Sequence, residues 1–175
     1  MMLGQDYQRQ DCSLARSLEV VGERWTLLIV RDAFFGVRRF GDFQTHLDVP
    51  RAVLSDRLAG LVKDGILARC PDPERTARHL YELTAAGREL WPVLHSLLVW
   101  GDRYRLPNSR VFMHADCETI LNDSGACPGC GVTAQPDEIL TAPRPGRRAQ
   151  RDDPVALALR SSHRLLEPLE IPSRA

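Results

Sequence analysis

Four residues near the C-terminal third have the types and spacing of a metal site. They are His114 and Cys117 in His114-Ala-Asp-Cys117, and Cys127 and Cys130 in Cys127-Pro-Gly-Cys130-Gly131. The pattern is H-x2-C, nine residues, then C-x2-C. Thiolate and imidazole are soft or borderline ligands, and four of them suit tetrahedral Zn²⁺. A two-residue spacer lets both side chains of one turn converge, and Gly129 and Gly131 permit a tight backbone there. The set includes no open position and no general base, so the expected zinc is structural rather than catalytic. The competing reading is a redox pair of Cys127 and Cys130 with His114 incidental. Of the five cysteines, Cys12 lies near a helix start, where its bland reading is a small packed residue at a dimer edge. Cys70 reads as filler at a strand end.

A second group of residues has the character of a nucleic-acid contact. Arg51, Ala52 and Ser55 fall on the outer face of one helix near its N-terminus, with Arg57 on the flank. Small and Arg side chains there suit close approach to a groove. A polar loop downstream adds Arg75 and Arg78. Over 51–79 there are six basic residues (Arg51, Arg57, Lys63, Arg69, Arg75, Arg78) and four acidic ones (Asp56, Asp64, Asp72, Glu74). The whole chain is neutral, with 23 basic and 23 acidic residues, which excludes a protein that coats nucleic acid by bulk charge. All cations but Lys63 are Arg, the residue suited to forked contacts with phosphate and guanine. The bland alternative is a solvated helix face and a solvated hairpin.

The elements that must position these groups follow from periodicity. Leu14, Leu18 and Val21 define a first helix closed by Gly22. Trp25, Leu28, Ile29 and Ala33 define a second, ending near Gly36. Phe40, Phe43 and Leu47 define a short third. Leu54, Leu58, Leu61 and Val62 define a fourth, ended by Gly65. The pattern then shortens to strands at 66–70 and 79–83, which form a hairpin around the loop 71–78. Thr84 should cap a long helix carrying Leu90, Leu94, Leu97, Leu98, Gly101 and Tyr104, kinked at Pro92. Its spare apolar face (Trp91, Leu98, Trp100) suggests a partner helix and hence a dimer. The expected fold class is mainly α with a small β-hairpin wing: a winged helix-turn-helix with helical dimerisation elements and a small zinc-bound C-terminal extension. A helix fits the major groove and a hairpin tip reaches the minor groove or phosphates.

These blocks resemble HxlR-type regulators, bacterial winged helix-turn-helix proteins of the MarR-like superfamily. The resemblance runs from Cys12 to Phe43, including Val20-Val21-Gly22-Glu23-Arg24-Trp25. It continues through Val53-Leu54-Ser55-Asp56-Arg57-Leu58 and Tyr81-Glu82-Leu83-Thr84-Ala85-Ala86-Gly87, and ends at Trp100-Gly101-Asp102-Arg103-Tyr104. It implies a homodimer that binds double-stranded operator DNA near its target promoters. The fourth helix would be the recognition helix, the hairpin the wing, and the first and last helices the dimer contact. Cys12 occupies the position of the family's N-terminal cysteine, which senses oxidants or electrophiles in some members and makes Cys12 the candidate redox residue. The ligand-bearing segment resembles a zinc-ribbon-like extension seen in some members. The wing keeps its prolines and Arg78 but varies elsewhere.

The expected organisation is 11–106 for DNA binding and dimerisation, 110–140 for the zinc-ribbon-like extension, and 141–175 for a linker and tail. The tail has disorder as its default and a terminal helix folding back on the dimer as the rival, and the run from Pro154 could form a short helix. No apolar stretch approaches a membrane span and the start lacks a signal pattern, so a cytoplasmic, nucleoid-associated protein is expected. No phosphate loop, nucleophile elbow or carboxylate pair argues for an enzyme. The expected function is a sequence-specific transcriptional regulator, with repression as one form of output and the small-molecule effector unassigned. The rival is a redox- or metal-responsive regulator whose winged helix engages a protein partner. A small zinc enzyme or thiol oxidoreductase stands further behind.

Overall fold

The structure is a computed structural model that describes residues 7, 9–74, 77–147 and 150–171. The N-terminal part runs α1 (Ser13–Val21), α2 (Thr26–Phe34), α3 (Phe40–Leu47), α4 (Arg51–Lys63), β1 (Leu67–Pro71) and β2 (His79–Leu83). Its core takes Ile29, Phe43, Leu54 and Leu58 from the predicted helical stripes and adds Phe34, which those stripes omit, and Leu67 of the first wing strand. Ile29, Phe34, Phe43, Leu54, Leu58 and Leu67 are essentially inaccessible to solvent. Asp48 at the end of α3 adopts a left-handed conformation (φ 52°), which turns the chain sharply into Pro50 and the start of α4. β1 and β2 pair antiparallel with Leu67 opposite Leu83 and Cys70 opposite Leu80.

The expected long helix from Thr84 is two helices. Thr84 caps a single turn, α5 (Ala85–Arg88), by accepting the Gly87 N–H at 3.1 Å. A new helix, α6 (Trp91–Tyr104), then starts with Pro92 in its first turn. Proline lacks an N–H and clashes with the preceding turn, so it favours a helix start over a helix interior. The faces of α6 also differ from expectation. Trp91 is buried and Leu98 packs against the core, whereas Val93, Leu97, Trp100 and Tyr104 are exposed. Leu14 and Leu18 on α1 are exposed too, so of the stripe that defines that helix only Val21 is covered by the described residues.

The remaining residues do not divide at 140. β3 (Arg110–His114), β4 (Thr119–Ile120), β5 (Ile139–Pro143) and β6 (His163–Arg164) form one antiparallel sheet in the order β4-β3-β5-β6. The expected tail therefore contributes β6, and residues 141–143 complete β5. A short helix does follow Pro154: α7 (Pro154–Ala158), capped by Asp153 and packed against α3 of the same chain. His46 Nδ1 lies 2.9 Å from Asp153 Oδ1, and Arg151 donates to the Thr45 carbonyl at 3.0 Å. Val155 and Leu165 are buried, which gives the tail an apolar reason to dock rather than remain loose.

Aromatic side chains join the two parts. Trp91 meets Phe34 and Phe112 edge-on, each at 5.2 Å between ring centroids. Arg110 is buried over the Phe35 ring, 5.9 Å from its centroid, and donates to Thr141 Oγ1 (2.9 Å) and to the carbonyls of Leu159 and Ser161. Burial pulls its guanidinium down to about 10, and these three neutral oxygens replace the lost water.

Candidate metal centre and nucleic-acid interface

Two turns bring the predicted ligands together. The first closes β3 onto β4, and Glu118 (φ 47°) makes the reversal that returns Cys117 towards His114. The second is held by the Gly131 N–H on the Cys127 carbonyl (2.7 Å) and the Cys127 N–H on the Val132 carbonyl (2.8 Å). The two turns touch at Gly129, where a Cβ would lie 3.0 Å from Thr119 Oγ1 and 3.5 Å from Cys127 Sγ. The ligand atoms of His114, Cys117, Cys127 and Cys130 all lie within 4.8 Å of one another. His114 Nδ1 is 3.2 Å from Cys117 Sγ and 3.4 Å from Cys130 Sγ.

The donor set fits a tetrahedral ion. Zn–S bonds of about 2.3 Å and Zn–N bonds of about 2.0 Å imply S···N edges near 3.5 Å, close to both distances here. The charges point the same way. Burial opposes a thiolate at Cys127, but the backbone N–H groups of Cys130 and Gly129, with the side chains of Cys130 and His114, together outweigh it and bring the thiol down to about 7. The hydrogen bond to Cys130, and then burial, push Cys117 up to about 11. Three thiols so close cannot all ionise unless a cation joins them, and a divalent ion supplies that charge.

The predicted DNA-contact residues occupy a different face. Arg51, Ala52 and Ser55 are exposed on the first turns of α4, opposite the buried Leu54, Leu58 and Leu61. Arg51 sits over the Phe40 ring, 5.0 Å from its centroid. Arg57 turns away towards Glu23, at 3.7 Å. Arg78 stands in the wing loop just before β2, its carbonyl accepting the Asp72 N–H at 3.0 Å, while Arg75 lies outside the described residues. Cys12 is exposed at the N-terminal end of α1, far in sequence from the metal cluster.

Two further arginines join this face that the sequence reading did not select. Arg39, Arg51, Arg69 and Arg78 line a cleft of about 420 Å³ between α3, the start of α4 and the wing. Arg39 Nε donates to the buried Asp72 at 3.1 Å, which holds its guanidinium above the usual value, with Glu74 adding to the effect. Arg69 Nη2 donates to His79 Nδ1 across the hairpin at 3.0 Å. Residue type alone could not select them. Their place depends on the hairpin register and on the pairing of Arg39 with Leu80.

Comparison with known proteins agrees with this architecture. The family model described as HxlR-like helix-turn-helix matches residues 20–109. The HTH-type transcriptional regulator Rv3095 of Mycobacterium tuberculosis is 42% identical over 142 residues, covering 79% of this chain and 89% of the relative. The crystal structure of PA1607, a candidate transcription factor, has a TM-score of 0.53 and 41% identity over 56% of this chain and 68% of that one. The redox regulator HypR in its reduced form has a TM-score of 0.50 and 26% identity over 54% of this chain and 94% of that one. No helix among the described residues is long and apolar enough to cross a membrane. The chain belongs to the HxlR-like helix-turn-helix family and is a transcriptional regulator with a helix-turn-helix DNA-binding domain.

Proposed function

We propose that this regulator binds operator DNA as a homodimer, with repression as its simplest output, and that the four-ligand cluster holds a structural zinc ion. The carrying observation is the start of α4: three exposed small or Arg residues over a face locked into the core by Leu54, Leu58 and Leu61. That geometry lets Arg51, Ala52 and Ser55 approach base edges while Arg78, Arg39 and Arg69 meet phosphates beside the wing. Arg57 is a flanking backbone contact once Glu23 releases it, and Arg75, outside the described residues, is assigned the same role. The exposed apolar residues of α1 and α6 support dimerisation, since Leu14, Leu18, Leu97 and Trp100 gain by leaving water. Two recognition helices would then enter grooves about 34–36 Å apart. Such a protein works in the cytoplasm at the nucleoid and needs no catalytic group.

His114, Cys117, Cys127 and Cys130 would hold the zinc, whose charge allows the thiols to ionise together and ties the two turns. A second reading has oxidation of the exposed Cys12 set the output, favoured by the likeness to the redox regulator HypR. The test is to incubate reduced, zinc-loaded protein with sheared genomic DNA and sequence the bound fragments. Enrichment of a two-fold symmetric motif is expected. Random recovery in every metal and redox state would leave the winged helix as a protein-binding module. An oxidant effect on the recovered motif that disappears in Cys12→Ser would establish the second reading.

A further inference from the structure

We propose that the His114–Cys117–Cys127–Cys130 cluster is the effector site of this regulator, that its ligand is a soft divalent metal ion such as zinc, and that residues 163–171 carry its occupancy to the wing. The proposal rests on the DNA-binding reading above. It adds a regulatory role to an ion otherwise needed only to hold the extension together.

The connection is a continuous run of hydrogen bonds. His114 ends β3 and pairs with Ile139 of β5. The Ile139 carbonyl accepts the N–H of the buried Leu165 at 2.9 Å. The chain then crosses to the winged helix as a strap. Leu166 N–H donates to the Phe34 carbonyl (2.8 Å) and Leu169 N–H to the Gly36 carbonyl (3.1 Å). On its other side, the segment 36–39 meets the wing. Tyr81 N–H donates to the Arg38 carbonyl at 2.9 Å, and Arg39 bridges Leu80. Arg38 spans the whole junction, because Nη2 donates to the Leu166 carbonyl at 3.2 Å and Nη1 lies 2.9 Å from Glu82 Oε1 on β2.

The strap lies close enough to transmit a displacement. Gly36 has φ +81°, and a Cβ there would fall 1.8 Å from the Glu167 carbonyl oxygen and 2.8 Å from the Leu169 nitrogen. Only glycine tolerates that backbone and that approach. The wing strand reached this way begins at His79, beside Arg78, in the cleft proposed to meet DNA phosphates. Metal binding to three thiols and an imidazole is inseparable from ordering the turns that carry them. β5 belongs to both that ordered unit and the seat of Leu165, so occupancy biases strap docking and strap docking biases the wing. By thermodynamic reciprocity, DNA must then bias metal affinity by the same factor.

The test uses the full-length protein, zinc-loaded and chelator-stripped, with the DNA fragment recovered in the genomic selection. Zinc loading is expected to tighten binding by about tenfold or more, within the range usual for coupling between sites. The same DNA should raise zinc affinity by an equal factor. Hydrogen exchange should slow in 163–171 and 79–83 on zinc loading alone, without DNA. Arg38→Met should keep one zinc per chain yet bring the loaded-to-stripped ratio close to one. Gly36→Ala should do the same through the other side of the strap. Equal DNA affinity with and without zinc overturns the proposal, as does unchanged exchange in the wing or an undiminished ratio in both variants. Failure of the DNA reading looks different: no sequence-selective binding in either metal state, which removes the output and this proposal with it.

Discussion

The winged helix and the ribbon reach order by different routes. Residues 26–67 bury Ile29, Phe34, Phe43, Leu54 and Leu58 completely, so apolar burial is enough to hold them. The ribbon has far fewer buried apolar side chains, chiefly Phe112, Leu121 and Ile139. It makes up the difference with four convergent ligands, a buried Arg110 and a borrowed aromatic contact with Trp91. The lesson is one of size. A segment too small for its own core needs a metal, a neighbour, or both. The consequence is that the order of the ribbon should depend on metal while the helical core of α2 and α4 should not.

The sharpest way to break this comparison is to remove a ligand. Cys127→Ser should lower metal affinity more than about a hundredfold, beyond the usual cost of losing an outer-shell partner. Metal analysis should find little zinc, and hydrogen exchange should quicken across 110–143. The amides of α2 and α4 should stay protected. Loss of protection in both regions would mean that the apolar core of α2 and α4 depends on the ion as well.

The converse variant attacks the other core. Leu58→Ala should cost about 2–5 kcal/mol, the range for emptying a packed Leu site. Denaturant unfolding of the zinc-loaded protein measures it, and zinc content should be unchanged below the transition. A cost under about 1 kcal/mol would show that the core around α4 collapses to fill the space.

Arg51→Ala separates binding from folding. It should weaken specific DNA binding by about 1–3 kcal/mol if Arg51 reads a base edge. Stability and zinc content should be unaffected. Equal losses on specific and random DNA would make Arg51 a phosphate contact instead.

The smallest effect should come from pH at the junction of the two regions. His95 packs between Trp91 and Phe112, and burial lowers its affinity for a proton below the ordinary value of 6.5, with Asp123 opposing. The unfolded chain therefore binds the proton more readily, and stability rises with pH. This contribution is complete above about pH 6.5 and is lost as pH falls towards the lower folded value. His163 shifts in the same direction, first through burial, so it adds to the trend. The fall in unfolding midpoint between about pH 8 and about pH 5 should be smaller in His95→Phe. An unchanged fall would assign it to other groups.

Several elements were legible before any coordinates. The stripes at 26–34, 40–47 and 51–63 identify α2, α3 and α4, because a helix with one buried face must repeat its apolar residues at about 3.6. The second wing strand matches at 79–83, and the first is displaced by one residue. Pro92 misled, because proline in an apolar run fits either a kink or a fresh start, and only the turn capped by Thr84 decides. Trp91 and Leu98 misled for a related reason. Periodicity says which residues share a face but not what covers it, and Phe112, which lies against Trp91, comes from another element.

The sequence by itself determined the order of helices, the small and Arg residues opening α4, and the four ligand types in two short spacings. Each is local: a period, a cap or a turn leaves its mark within a few residues. Only the tertiary structure decided that the two turns meet within 4.8 Å, that Arg39 and Arg69 join Arg51 and Arg78, and that 163–171 ties the ribbon to the end of α2 at Phe34 and Gly36. Those outcomes rest on backbone hydrogen bonds and packing between distant segments. Every residue type except proline offers the same N–H and carbonyl, so such pairings leave no signature in the sequence.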